Sequence, residues 1–196
     1  MNLDCVQLFN KREADLIFQA CEKEIRYNTR SQVHVFGKWH DVPRQQTAYG
    51  DDGLKYTFSG ATVEAKPWTM APVLKQVKDI LFSVTGHVFN FVLVNRYKDG
   101  NDHMGEHQDK EADLVPGGPI ASLSLGQARD FVFRHKDARS SAAKRKIDRV
   151  KLELRHGSLL MMNHPTNHFW YHSLPKRKKA VASRINLTFR QMAVVT

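Results

Sequence analysis

The chain has 196 residues, 41% hydrophobic and 26% charged, which is the balance of one globular domain with a continuous core. No apolar run approaches the roughly 20 residues that a bilayer-crossing helix needs, residues 1–10 lack a secretory pattern, and Cys5 and Cys21 are too few for a disulfide scaffold. Thirty Lys and Arg against twenty Asp and Glu give a net charge of +10, so the expected partner is a polyanion. Nucleic acid leads. A membrane surface comes second, because no long basic amphipathic helix is visible, and a merely solubilising surface is the plain alternative.

Asn10-Lys11-Arg12-Glu13 has the form of a capping box. Leu16, Ile17, Ala20, Cys21 and Ile25 follow at helical spacing and predict a first helix. Residues 33–40 alternate. Val33, Val35, Gly37 and Trp39 fall on one face, and His34, Phe36, Lys38 and His40 on the other, with Phe36 the odd apolar member of a basic face. Beside Pro43-Arg44-Gln45-Gln46 this pattern predicts a hairpin. A second helix is predicted over 73–84, with Val73, Leu74, Val77, Ile80, Leu81 and Val84 inward, Pro72 at its start and Gly86 at its end.

From about residue 88 the pattern changes to short strands: 89–97, 120–125, 130–134, 150–154, 158–162 and 184–191. No helical stretch separates them, which excludes a βαβ arrangement and predicts a sandwich or barrel. The fold class is therefore mainly β with flanking helices (α+β). The charged stretch 136–149 is expected as a long exposed hairpin loop. No repeat or low-complexity segment interrupts the chain, so residues 1–196 are expected as one domain. About 1–86 form an N-terminal helical and hairpin region, and about 87–196 form the β core.

His107-Gln108-Asp109 carries the first chemical signal. Residues two apart in a strand share a face, so His107 and Asp109 can address one metal. Two imidazoles and a carboxylate on one side of Fe(II) leave positions open for a bidentate co-substrate and O2. His172 is the best candidate for the second imidazole, with His103, His164 and His168 competing among the ten histidines. The spacing of His164, His168 and His172 would suit a zinc face on a helix. Pro165 and the run Phe169-Trp170-Tyr171 argue against a regular helix there.

The second signal is Arg184-Ile185-Asn186-Leu187-Thr188-Phe189-Arg190, which alternates strictly. Arg184, Asn186, Thr188 and Arg190 share one face. That face cannot be buried cheaply without a ligand, and a dicarboxylate would satisfy it through guanidinium–carboxylate pairs. Asn95 and Tyr97, on one face of the strand 89–97, add an amide and a hydroxyl. A solvent-exposed polar face is the alternative.

The HxD motif, the distant histidine and the pattern RxNxTxR together resemble the AlkB family of 2-oxoglutarate-dependent oxygenases. The resemblance runs over nearly the whole chain. It is strongest in blocks such as Val35-Phe36-Gly37-Lys38-Trp39-His40, Tyr56-Thr57-Phe58-Ser59-Gly60, Asn95-Arg96-Tyr97-Lys98-Asp99-Gly100 and Asp130-Phe131-Val132-Phe133-Arg134-His135, which are similar to a DNA-repair branch of that family. It implies a double-stranded β-helix (jelly-roll) core, with Fe(II) as metal and 2-oxoglutarate and O2 as co-substrates. It implies metal ligands at His107, Asp109 and His172. Arg184 would pair with the distal carboxylate of 2-oxoglutarate, helped by Asn95 and Tyr97, and Arg190 would brace Asp109; Asn186 and Thr188 complete that group.

The same resemblance implies oxidative demethylation of 1-methyladenine and 3-methylcytosine in double-stranded DNA, with release of formaldehyde, succinate and CO2. Phe36 would enter the base stack as a wedge. Tyr56, Phe58, Ser59 and Glu111 would surround the extruded base. Arg44, Arg134, Arg177, Lys178 and Lys179 would meet the DNA, and the basic run 176–179 could equally be a nuclear-import signal. The expected location is the nucleus, the expected state a monomer without membrane association, and no replication-clamp motif is visible in this chain. A relative preferring single-stranded DNA or RNA, and a non-catalytic nucleic-acid-binding module, are the alternatives.

Overall fold

Asn10 caps the first helix, α1 (Lys11–Glu24). Its side chain accepts from the Glu13 N–H at 3.0 Å, and the Glu13 carboxylate accepts from the Asn10 N–H at 2.9 Å, closing the box written in the sequence. The computed structural model describes residues 1–28, 32–35, 37–58, 61–109, 112–139 and 145–193. The second helix, α2 (Pro72–Thr85), has proline in its first turn and ends at Gly86 in the left-handed region, φ 72°. Its buried stripe is narrower than its apolar one. Val73, Leu74, Val77 and Leu81 are buried, whereas Ile80 and Val84, expected inward, are 37% and 56% exposed, because one helix face meets one sheet.

In chain order the strands are β1 (Leu3–Gln7), β2 (Gln32–Val35), β3 (Lys38–Asp41), β4 (Gln45–Gly50), β5 (Lys55–Phe58), β6 (Ala61–Glu64), β7 (Lys66–Pro67) and β8 (Phe91–Tyr97). They continue with β9 (Met104–His107), β10 (Ile120–Gly126), β11 (Arg129–His135), β12 (Val150–Leu154), β13 (Ser158–Met162), β14 (Trp170–Leu174) and β15 (Arg184–Arg190). A single helical turn, α3 (Thr166–Phe169), precedes β14. The major sheet runs β1-β13-β10-β15-β8-β4-β7 and the minor sheet β12-β11-β14-β9. Together they form the jelly-roll core, flanked by the helices.

Alternation along the central strand β15 separates two environments. Ile185, Leu187 and Phe189 pack outward with Leu123, Cys21, Leu74 and Leu81, so α1 and α2 cover that face. Arg184, Asn186, Thr188 and Arg190 point the other way, toward the minor sheet. Between the two sheets Tyr97, Ile120, Leu160 and Met162 meet Phe131, Phe133 and Leu174. The first 86 residues are interleaved with this core, since β1, β4 and β7 complete the major sheet.

Segment 33–40, expected as part of a hairpin, forms the antiparallel pair β2–β3 with a turn at which Gly37 has φ 73°. Register pairs Val33 with His40 and His34 with Trp39, so the alternation read over 33–40 does not run unbroken through the turn. Phe36 lies outside the described residues. The stretch after β11 begins with a 3-10 turn, Lys136–Ala138, and joins two antiparallel partners as expected.

One loop shows how tightly the basic segment is docked. Gly100 donates its N–H to the Ala180 carbonyl at 2.6 Å and accepts from the Arg177 N–H at 2.8 Å. Buried Arg129 ties the carbonyls of Asp99, Asp102 and Pro175 together at 2.8–3.1 Å. A Cβ on Gly100 would lie 1.8 Å from the Arg177 carbonyl oxygen. Gly100→Ala is therefore expected to lower stability by about 1–3 kcal/mol, read as a shift of the urea midpoint; an unchanged midpoint would show that the loop is not packed this way.

Candidate metal and co-substrate site

β9 and β14 are neighbours, and their register sets His107 opposite His172. Asp109, expected in the same strand as His107, instead lies two residues past the end of β9. It still returns to the histidines: Asp109 Oδ1 is 3.4 Å from His107 Nε2 and 3.7 Å from His172 Nε2. The three ligand atoms lie within 4.8 Å of one another, and this is the only such group among the described residues. His103, His164 and His168 are not part of it.

The other carboxylate oxygen is held from behind. Arg190 donates to Asp109 Oδ2 from Nη2 at 2.7 Å and from Nε at 3.3 Å. Arg190 Nη1 donates to the Thr188 carbonyl at 3.2 Å, and its guanidinium lies 4.8 Å from the Tyr56 ring centroid. Burial alone would raise the Asp109 carboxyl, but the Arg190 charge and the two histidines outweigh it and hold it well below the usual range. Burial, with help from the His107 and Arg190 charges and against that of Asp109, pushes the His172 imidazole down to about 3. An ionised carboxylate and a neutral imidazole are the ligand forms a divalent metal requires.

Along β15 all seven residues are buried. Register places Asn186 between Asn95 of β8 and Ser124 of β10, and Arg184 opposite Tyr97. Arg184 donates from Nη2 to Ser124 Oγ at 2.9 Å, while its Nε and Nη1 are buried with no partner among the described residues. Burial brings its guanidinium down to about 10, partly opposed by Tyr97, so it remains charged at neutral pH. A buried cation with two unpartnered donor nitrogens fits a carboxylate. Asn186 donates to Ser122 Oγ and the Leu123 carbonyl, and Thr188 donates to Asn186 Oδ1.

A cavity of about 470 Å³ opens onto the histidines and Asp109, walled by Arg44, Tyr56, Asn95, Asn186 and Thr188 among others. Arg184 and Tyr97 stand one step further along the same sheet face, beyond that wall. Arg44, expected at the DNA, is turned inward. Its Nε donates to Asn95 Oδ1 at 2.8 Å and its Nη1 to the His103 carbonyl at 3.2 Å.

Arg134 is half-buried, bonded to the Ala138 and Arg139 carbonyls and 3.8 Å from Glu106. Arg177, Lys178 and Lys179 are exposed, with Arg177 near Asp130 and Glu153. Tyr56 is buried against Phe91. Ser59, Glu111 and the side chain of Phe58 lie outside the described residues. Sequence reasoning missed Gln46, which donates to Asn95 Oδ1 at 2.8 Å, and Ser122 and Ser124, whose alternation in Ile120-Ala121-Ser122-Leu123-Ser124-Leu125 was the available signal.

A jelly roll with this histidine–aspartate–histidine set and an arginine-lined strand defines an iron oxygenase architecture. The description of the 2OG-Fe(II) oxygenase superfamily matches residues 5–190, and the chain belongs to that superfamily, which uses Fe(II), 2-oxoglutarate and O2. It is 61% identical over 194 residues to the DNA oxidative demethylase ALKBH2 of Homo sapiens, covering 97% of this chain and 74% of that protein. Its identity to the DNA oxidative demethylase ALKBH2 of Bos taurus is 60% over 198 residues, covering 100% of this chain and 70% of that one. The structure of OsALKBH1 superposes with a TM-score of 0.57 at 19% identity over 96% of this chain and 97% of its own, a likeness of fold.

If the idle Arg184 donors serve a dicarboxylate, Arg184→Met relieves their burial and removes their use. The metal-free variant is expected to match or exceed wild-type stability, by up to about 3 kcal/mol, while 2-oxoglutarate binding by calorimetry is lost. Retained binding would assign the co-substrate elsewhere.

Proposed function

We propose that this chain is an Fe(II)- and 2-oxoglutarate-dependent demethylase that repairs N-alkylated bases, 1-methyladenine and 3-methylcytosine, in double-stranded DNA. The observation that carries the reading is the juxtaposition of His107, Asp109 and His172 with the buried arginine strip of β15. The similarity to DNA oxidative demethylases supplies the substrate class. Iron, 2-oxoglutarate and O2 together supply the oxidation of an N-methyl group to a hydroxymethyl group, which leaves as formaldehyde, with succinate and CO2 as co-products.

The residues of the chain do the rest. His107, Asp109 and His172 hold the metal, and Arg190 keeps Asp109 ionised and oriented. Arg184, with Asn95, Tyr97, Asn186 and Thr188, binds and orients the co-substrate. Tyr56, Phe58, Ser59 and Glu111 surround a base taken out of the stack. Methylation of the Watson–Crick edge weakens pairing and lowers the cost of that extrusion. Phe36 fills the gap in the duplex. Arg134, Arg177, Lys178 and Lys179 meet phosphates, while Arg44 supports Asn95 from within. Residues 1–196 act as one catalytic domain, a monomer working in the nucleus.

Anaerobic loading with Fe(II) and 2-oxoglutarate, followed by O2 and a methylated duplex, is expected to yield succinate and formaldehyde together. Their absence rejects the reading. Asp109→Ala is expected to abolish turnover and leave DNA affinity largely intact, since phosphate contacts dominate affinity. Phe36→Ala is expected to reduce activity on duplex far more than on single strands; equal losses would favour a single-stranded DNA or RNA substrate.

A further inference from the structure

Of the three residues that converge on the metal position, Asp109 alone lies outside a β-strand. His107 ends β9 and His172 sits within β14, so the sheet fixes both. Something else must fix the peptide of Asp109, and one side chain does. The Asp109 N–H donates to Asn167 Oδ1 at 3.0 Å, and Asn167 Nδ2 donates to the Asp109 carbonyl. The neighbouring Gln108 side chain donates to the Asn167 carbonyl at 3.0 Å. The loop is thus tied to one residue of α3 by three hydrogen bonds.

The turn that carries Asn167 is itself anchored. Thr166 Oγ1 accepts from the Asn2 N–H at 2.7 Å and donates to the Asn2 carbonyl at 2.8 Å. Asn163 donates its backbone N–H to the Asn2 carbonyl at 3.1 Å and its side-chain amide to Asp4 Oδ2 at 2.7 Å. β1 in turn is paired with β13 of the major sheet. The position of the Asp109 peptide is therefore referred through Asn167 and α3 to the edge of the main sheet.

We propose that Asn167 is a positioning residue for the metal centre: its amide pins the Asp109 peptide so that Oδ1 faces His107 and His172 before a metal arrives. This rests on the reading of those three residues as metal ligands. Arg190 fixes Oδ2, which leaves the carboxylate free to swing about that contact unless the backbone is held as well. Of the side chains of this size, only the asparagine amide presents a donor and an acceptor in one plane to the N–H and C=O on either side of a single residue's Cα. An aspartate at 167 would still accept the N–H but would set a negative charge against the carbonyl. Partners that orient a metal ligand commonly set affinity by 10–100-fold.

The test is Co(II) titration of the metal-free chain followed by its visible absorbance, alongside thermal melting without metal. Asn167→Ala is expected to weaken Co(II) binding roughly tenfold or more at a temperature where both proteins are folded. Asn167→Asp is expected to fall between the two, because it keeps one of the two bonds. A purely structural role would lower the metal-free melting temperature and leave Co(II) affinity as in wild type. Wild-type affinity in either folded variant overturns the proposal. Should the alanine variant not fold, Asn167→Asp and Gln108→Ala, which removes the third bond alone, carry the same comparison. A wild-type chain that takes up no Co(II) at His107, Asp109 and His172 overturns the metal reading itself, and the proposal with it.

Discussion

The buried pair of Arg190 and Asp109 is the constraint on which the site depends. Both side chains are nearly solvent-free, and the pair is joined at 2.7 Å. Taking two charges out of water costs several kcal/mol per ion, and only good geometry with further hydrogen bonds offsets it. Arg190 meets that demand with its own bond to Thr188 and its place over Tyr56. The result is a carboxylate whose one oxygen is committed to the protein and whose other faces two imidazoles. The same pairing keeps Asp109 ionised, which a metal needs and burial alone would oppose.

That pair in turn depends on β15 being central. Flanked by β10 and β8, β15 is buried on both faces, yet it carries two arginines. One face is satisfied by apolar packing under α1 and α2. The other is satisfied by Ser122 and Ser124 of β10, by bonds along β15 itself and by Asp109, except at Arg184, two of whose donor nitrogens are buried without a partner among the described residues. An unpaired buried cation is the arrangement that the proposed binding of a dicarboxylate requires. Arg44 and Gln46 converge on Asn95 from β4 and its approach, so the N-terminal part of the chain helps shape the cavity that the core strands line.

Much of this was legible because it follows simple periods. The capping box at Asn10 and the period of two in 184–190 each place side chains without tertiary information. The HxD tripeptide was legible as chemistry but not as geometry, because Asp109 has left the strand. β14 was hidden: Trp170-Tyr171-His172-Ser173-Leu174 has no apolar alternation, and its partners are remote in sequence. β4 was hidden for the opposite reason. Gln46 and Thr47 are polar and yet buried: Gln46 bonds Asn95 at the cavity wall, and Thr47, on the opposite face, accepts from Lys66. Arg44 has the composition of a surface contact and is turned inward by Asn95. Asn167 carries no local signal, because its role exists only once α3 lies against the 108–109 loop.

In the function proposed above, the metal triad and the arginine strip form one site with two ends. The most direct test is calorimetric titration of the Mn(II)-loaded chain with 2-oxoglutarate, with pyruvate, which lacks the far carboxylate, and with glutarate, which lacks the keto group. The account predicts that 2-oxoglutarate binds and that each truncated ligand loses more than about tenfold in affinity, the worth of a charge-assisted hydrogen bond. Equal affinity for pyruvate and 2-oxoglutarate, or binding of 2-oxoglutarate unchanged by removal of Mn(II), would contradict it.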